Sequence, residues 1–237
     1  MKRTVRRLIV SAALFLLTAC NGQGQTTSLQ GNTATIQLST GETVEVPAQQ
    51  VISSGVAHTL IIRRDGTVWA FGNNDHGQLG NGTTEASLEP VQVRGLRDIV
   101  AVSASGLFSA ALDVENKLWM WGKNEDGQLG DGTTETRLTP VKILNDVQEV
   151  ATSSFSTLVM LTNGDLLAWG GNFEGKFGPS DEVGIRILSP MLIRQPSSVI
   201  GIGRPSLGVV VIREDGRAWG WGDASIALGK FDDSDKE

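Results

Sequence analysis

The chain contains no tyrosine, one cysteine, two histidines and seven prolines in 237 residues. A single cysteine excludes an internal disulfide framework. Two isolated histidines, without an H-E-x-x-H pattern or cysteine partners, fall short of the ligand count that zinc needs. A basic excess is also missing: 20 Lys+Arg against 26 Asp+Glu give a net charge of −6, which leaves no surplus to neutralise nucleic-acid phosphates. No G-x-S-x-G elbow and no G-x-x-x-x-G-K-[ST] loop occurs. Apolar residues at helical spacing are absent beyond the first twenty positions. Glycine, by contrast, is plentiful at 29 residues, with 40% apolar and 19% charged residues around it. That balance describes a turn-rich β protein.

Residues 1–20 form a separate signal. Lys2, Arg3, Arg6 and Arg7 lead into a ten-residue apolar run from Leu8 to Leu17, the charged and apolar regions of a secretory leader. The run is about half the roughly 20 residues that a membrane span requires. Leu17-Thr18-Ala19-Cys20 follows and resembles the bacterial lipobox, in which the cysteine becomes the lipidated N-terminus. The resemblance implies a leader over residues 1–19, lipid attachment at Cys20, and a polar tether to residue 32. Asn21, where inner-membrane lipoproteins often carry aspartate, gives an outer-membrane destination in the cell envelope. Loss of residues 1–19 removes four cations and no carboxylates and takes the net charge from −6 to −10. Such a surface is repelled by anionic lipid, so attachment runs through the acyl chains.

The remainder repeats. Pro90, Pro140 and Pro190 are spaced by 50 and 50; Gly72, Gly122, Gly170 and Gly222 by 50, 48 and 52; Gly80, Gly130, Gly178 and Gly229 by 50, 48 and 51. The string from Gly77 to Glu85 returns almost unchanged from Gly127 to Glu135. Within the first unit, Thr59 to Ile62 and Val68 to Gly72 read as strands around an Arg64-Asp65-Gly66 turn. Each proline is expected to open a third strand, at Val91 to Val93, Val141 to Ile143 and Met191 to Ile193. A fourth is placed at Ile99 to Val102, Glu149 to Thr152 and Val199 to Ile202. About four strands per fifty residues is the spacing of β-propeller blades. Thr43 to Val46 is a stand-in for a missing post-proline strand, and Thr33 to Leu38 a candidate to cover an exposed edge.

These units resemble the RCC1-type repeat through Val51 to Leu60, Asp65-Gly66, Phe71-Gly72 and Gly77 to Gly80, and again through Glu115 to Val141. The third unit is weaker at Asn163 to Gly178, and the fourth keeps Asp215-Gly216 and Trp219 to Gly222 without the G-Q pair. The resemblance covers residues 43–229 and implies an all-β propeller of four-stranded antiparallel blades around a channel. The family usually has seven blades; the four units here leave a small closed ring or an open arc as alternatives, the latter inviting self-association. The family histidine survives only as His58, with Phe108, Ser156 and Gly208 in its other places, so three units lose any inter-blade bond it makes. The expected domain is residues 33–230, followed by a charged tail at 231–237.

Candidate chemistry is sparse. His58 lies in the repeat motif and reads as a structural hydrogen-bonding residue, and His76 as a solvated turn residue. Asp75, Glu85, Glu125, Asp126, Asp131 and Glu135 cluster in loops, where turn formation explains them without the oxygen ladder of a calcium loop. The six tryptophans fall at strand positions of the repeat and read as core. No catalytic, cofactor or metal residue is assigned. The third unit breaks the pattern, with Gly-Gln-Leu-Gly replaced by Gly175-Lys176-Phe177-Gly178 and Phe173 added, so Asn172, Phe173 and Lys176 are the partner-contact candidates. The expected function is a lipid-anchored, non-catalytic propeller that binds a protein outside the cytoplasm. The alternative is a cell-envelope hydrolase or carbohydrate-active enzyme using loop carboxylates.

Overall fold

A computed structural model describes residues 29–30, 33–177, 184–193, 199–203 and 208–222. Cys20, the leader before it and the tail at 231–237 lie outside the described residues. The described residues form eighteen strands: β1 (Leu29–Gln30), β2 (Thr33–Gln37), β3 (Thr43–Pro47), β4 (Ile52–Ser54), β5 (His58–Ile62), β6 (Val68–Gly72), β7 (Ser87–Gln92), β8 (Ile99–Ser105), β9 (Phe108–Asp113), β10 (Leu118–Gly122), β11 (Arg137–Leu144), β12 (Val147–Thr152), β13 (Ser156–Leu161), β14 (Leu166–Gly171), β15 (Arg186–Leu192), β16 (Val199–Ile202), β17 (Gly208–Arg213) and β18 (Ala218–Gly222). Among the described residues the only helical turns are two short 3₁₀ segments, Ala48–Gln50 and Phe173–Gly175.

The strands form antiparallel sheets in chain order: β4–β7 (blade 1), β8–β11 (blade 2), β12–β15 (blade 3) and the three strands β16–β18 (blade 4). β1–β3 make a separate three-stranded sheet. Ile62 pairs with Val68 at the tip of the first hairpin, where Asp65 Oδ1 accepts from Thr67 N at 3.0 Å and from its hydroxyl at 2.6 Å. The Asp-Gly turn is thereby closed by its own side chain.

Three expectations are corrected. The segments Ile99 to Val102, Glu149 to Thr152 and Val199 to Ile202 do not complete the sheet before them; each is the first strand of the next, as Ala101 pairing with Leu112 shows. The prolines do not open strands: Pro90, Pro140 and Pro190 sit inside β7, β11 and β15. These strands are outermost and shift register beside the proline, so the missing N–H interrupts no ladder. Finally, Thr43–Pro47 and Thr33–Gln37 pair with each other and not with blade 1. Leu29 and Gln30, at the end of the expected tether, add a third strand to that sheet.

The first strands of successive blades run side by side on the inner side of the array. Ala104 N donates to Ser53 Oγ at 2.9 Å, the Ser103 and Thr152 hydroxyls meet at 2.8 Å, and Ile202 N donates to Glu149 Oε2 at 3.4 Å, so each inner strand is tied to the next. Burial raises the Glu149 pKa above the ordinary carboxylate value. Each strand alternates its side chains between two neighbours. In blade 2, Ser109, Ala111 and Trp121 face blade 1, while Phe108, Ala110, Leu112, Leu118 and Met120 pack with blades 3 and 4. The small sheet joins at the hairpin-turn end, where Gln37 N donates to Arg64 O and Ser39 N and Oγ donate to the Asp98 carboxylate, each at 2.5 Å. The small sheet shares a core with blades 1 and 2, blade 4 shares one with blades 2 and 3, and the described sheets form an open arc.

Candidate protein-interaction face

The turns between first and second strands and the long loops between third and fourth strands lie at the same end of the array. Asn73 N donates to Ala57 O, Lys123 N to Leu107 O and Gly171 N to Phe155 O, at 2.8 to 3.0 Å. These bonds fix the backbone of the residue just before the second strand of blades 1 to 3, where Ala57 and Phe155 are exposed and Leu107 half-buried. In blades 1 to 3 the described part of the long loop is organised by one buried asparagine. Asn74 Oδ1 accepts from Leu79 N at 2.9 Å while its amide donates to Thr83 O and Glu85 O; Asn124 repeats this with Leu129 N and Thr133 O. Asn172 takes Phe177 N at 2.8 Å and gives its amide to Gly184 O at 2.9 Å. A buried amide side chain that satisfies loop N–H and C=O groups makes a long loop rigid.

The three partner-contact candidates therefore occupy different environments. Asn172 is 1% exposed and braces the loop from within; Lys176 is 2% exposed, with Nζ 5.3 Å from the Phe177 ring, and burial lowers its pKa to about 8. Phe173 is 37% exposed. It meets the 46% exposed Phe155 edge to face, with ring centroids 5.5 Å apart and planes at 89°. Ile185, 59% exposed, is on the strand side of the same loop as Phe173, its carbonyl accepting Asn172 N at 2.7 Å. The exposed aromatic pair, Phe155 from the β12–β13 turn and Phe173 from the braced β14–β15 loop, is the feature of this face that marks a contact surface.

Ionisable groups at the same end hold loops. Asp131 accepts from Thr133 N, the Thr133 hydroxyl and Arg137 Nε; burial pushes its pKa up, but these bonds prevail and hold it below its usual value. The hydrogen bond from Lys123 lowers Glu125, and Asp126 pairs with Arg186 of blade 3 at 3.1 Å. Asp75 accepts from the Asn73 amide, Glu135 lies 3.7 Å from Arg137, and Glu85 is exposed. No group of three or more His, Cys, Asp and Glu placed to hold a metal occurs among the described residues.

The blade joints are cut from one pattern. Trp121 Nε1 and Ser109 Oγ both donate to Gln78 O, at 2.9 and 2.8 Å, and Trp169 Nε1 and Thr157 Oγ1 both donate to Gln128 O at 2.9 Å. A Cβ on Gly80 or Gly130 would lie 2.6 Å from the indole nitrogen that crosses it. The model of the Regulator of chromosome condensation (RCC1) repeat matches residues 65–112 and 115–160, and a second RCC1 model matches 50–78 and 99–128. Residues 50–160 are thus similar to RCC1 repeats. Among curated relatives, the human E3 ubiquitin-protein ligase HERC2 is 27% identical over 131 residues, 53% of this chain and 3% of its own length. The mouse X-linked retinitis pigmentosa GTPase regulator is 27% identical over 162 residues, 63% of this chain and 16% of its own. Yeast RCC1 (Prp20), solved bound to Kap60, superposes with a TM-score of 0.67 at 24% identity over 81% of this chain and 49% of that one. Human WBSCR16 gives 0.65 at 23% over 72% and 46%. The chain thus spans a small part of those curated relatives and about half of the solved ones.

Within the RCC1 repeats, His58 does cross between blades. Ser109 Oγ is spent as donor to Gln78 O, so at 2.8 Å it accepts from His58 Nε2, and His58 Nδ1 is buried without a partner. Phe108 in the equivalent place is core, and Ser156 bonds to Ser153 of its own blade at 2.8 Å. The tryptophans divide: Trp121 and Trp169 are fully buried, whereas Trp119 and Trp69 are half-buried, Trp119 donating to Asp113 and Trp69 stacked under Arg63 at 3.5 Å. The uniform core reading is corrected accordingly. Phe155 escaped the sequence reading, although it follows from the position before the family histidine, which runs Ala57, Leu107, Phe155 with growing apolar size.

Proposed function

We propose that the chain is a lipid-anchored, non-catalytic propeller module that binds a protein in the bacterial cell envelope through the face carrying Phe155, Phe173 and Ile185. The observation that carries this reading is the edge-to-face aromatic pair, Phe155 exposed at 46% in the β12–β13 turn and Phe173 at 37% on the loop that the buried Asn172 braces. Rigid aromatic anchors lose little side-chain entropy on docking. The solved RCC1-type structures support protein binding by analogy, since yeast Prp20p is described with Kap60 and for binding to Gsp1p and histones. The anchor rests on Leu17 to Cys20 and the charged, apolar leader before it.

Crosslinking in intact cells followed by capture of the chain tests both parts. Phe155→Ala with Phe173→Ala is expected to abolish the principal crosslinked partner without changing the melting temperature, and capture unaltered by the pair would reject this face. Cys20→Ser is expected to move the protein from the detergent phase to the soluble fraction, and membrane retention in that variant would reject the anchor.

A further inference from the structure

The two end faces of the arc are the two halves of one joint. Inside the chain, each blade presents a leading face, toward the blade that follows, and a trailing face, toward the blade before. Leading meets trailing three times, from blade 1 through blade 4. The trailing faces of blades 2 and 3 carry the same equipment. A hydroxyl (Ser109, Thr157) and an indole (Trp121, Trp169) donate to the Gln carbonyl of the preceding blade. On the outermost strand a leucine lies over the glycine turn of the preceding blade, such that a Cβ on Gly77 would sit 2.5 Å from Leu138 Cδ2 and one on Gly127 2.6 Å from Leu188 Cδ2. The same leucines accept from Gly82 N and Gly132 N through their carbonyls, at 3.0 and 2.9 Å.

Blade 1 carries the corresponding places with no described blade in front of it. Thr59 stands where Ser109 and Thr157 stand, Phe71 takes the indole place, and Leu88 is the counterpart of Leu138 and Leu188. Leu88 is 94% exposed against 36% for Leu138, and Thr59, Ile61, Trp69 and Phe71 are only half-buried. At the other end, the leading face of blade 4 is covered by no described blade. Its Ile212 is 47% exposed and Val210 and Ala218 are half-buried, whereas Ile62, Leu60 and Val68, in the same places of blade 1, are at most 1% exposed.

We propose that the occupant of both faces is a second copy of this chain: the leading face of blade 4 in one copy packs on the trailing face of blade 1 in the other, and reciprocally, closing two arcs into one ring. The joint is the one the chain makes between blades 1 and 2 and again between blades 2 and 3, so a trailing face built to cover a blade is present on every copy. Two copies related by a twofold axis close such a head-to-tail contact without leaving a free end. The inference is independent of the partner reading, because the Phe155 and Phe173 loop lies at the end of the array and takes no part in the joint.

The test uses the full chain in detergent, with mass measured by sedimentation over a range of concentrations, for the wild type, Leu88→Asp, Ile212→Asp and an equimolar mixture of the two variants. Both positions are exposed, so each variant is expected to keep the wild-type circular dichroism. The wild type is expected to be a dimer. Each variant alone is expected to dissociate at least tenfold more readily, because a carboxylate in an apolar joint is desolvated without a partner. The mixture is expected to regain dimer, since it contains one joint with neither substitution. A monomeric wild type, a dimer indifferent to both substitutions, a mixture no better than its components, or an unbounded ladder of oligomers would each overturn the proposal.

Discussion

His58 is held as a neutral imidazole by its surroundings. Its Nε2 donates to Ser109, its Nδ1 faces no partner, and burial lowers its pKa to about 4 from 6.5. A second proton would go onto Nδ1, a buried donor with no acceptor. The unfolded chain takes up that proton near pH 6.5 and the folded one only near 4, so stability is whole above 6.5 and declines as pH falls through that window. Urea titrations at pH 7 and pH 4 are expected to differ by about 3 kcal/mol from this group, and His58→Gln is expected to flatten the pH dependence there. Gln128 carries the complementary defect. Gln78 Nε2 donates to Asn73 Oδ1 at 2.5 Å, but Lys123 replaces that asparagine and turns to Glu125, leaving Gln128 Nε2 buried without a partner. Lys123→Asn is expected to add about 1 kcal/mol to the unfolding free energy, the net worth of one recovered hydrogen bond; an unchanged denaturation midpoint would show that the amide is satisfied otherwise.

The strand is the scale at which the tryptophans separate. Trp121 fills the joint between blades 1 and 2 and donates to Gln78 O, while Trp119, two residues earlier on β10, is half-buried. Trp121→Ala is expected to cost about 3–5 kcal/mol and Trp119→Ala appreciably less; chemical denaturation of the two variants checks the order, and equal losses would contradict the burial difference. The hairpins were legible in the sequence because Asp-Gly turns and alternating apolar residues are local signals. Sheet membership was not, because whether Ile99–Ser105 pairs backward to β7 or forward to β9 depends on partners brought together by tertiary packing. The same limit applies to the candidate face. Phe173 was visible as an aromatic added to a loop, whereas the interior places of Asn172 and Lys176 follow from the backbone N–H and C=O groups that a rigid loop must satisfy, and Phe155 is a single residue in a turn whose neighbour is remote in sequence.

At the scale of the whole molecule, blade 2 belongs to both hydrophobic clusters, through Ala111 and Trp121 on one face and Phe108, Ala110 and Leu112 on the other. A shared blade couples the two cores, so the array is expected to melt as one unit. In the Leu112→Ala variant, thermal transitions followed by tryptophan fluorescence and by far-ultraviolet circular dichroism are expected to shift down together; two separated transitions would mean that the clusters melt independently. The prolines on the rim bear on what such an array does in company. Pro90, Pro140 and Pro190 lie on the outermost strand of each blade that has one described, at the place where an unpaired edge would otherwise offer its full row of donors to any passing strand. The radial direction is therefore closed to β-addition, and growth by accretion is confined to the circumference, where each added piece must present a complete blade face. An arc built this way is guarded against amyloid-like stacking along its outer edge, and whatever extends it must do so by shape.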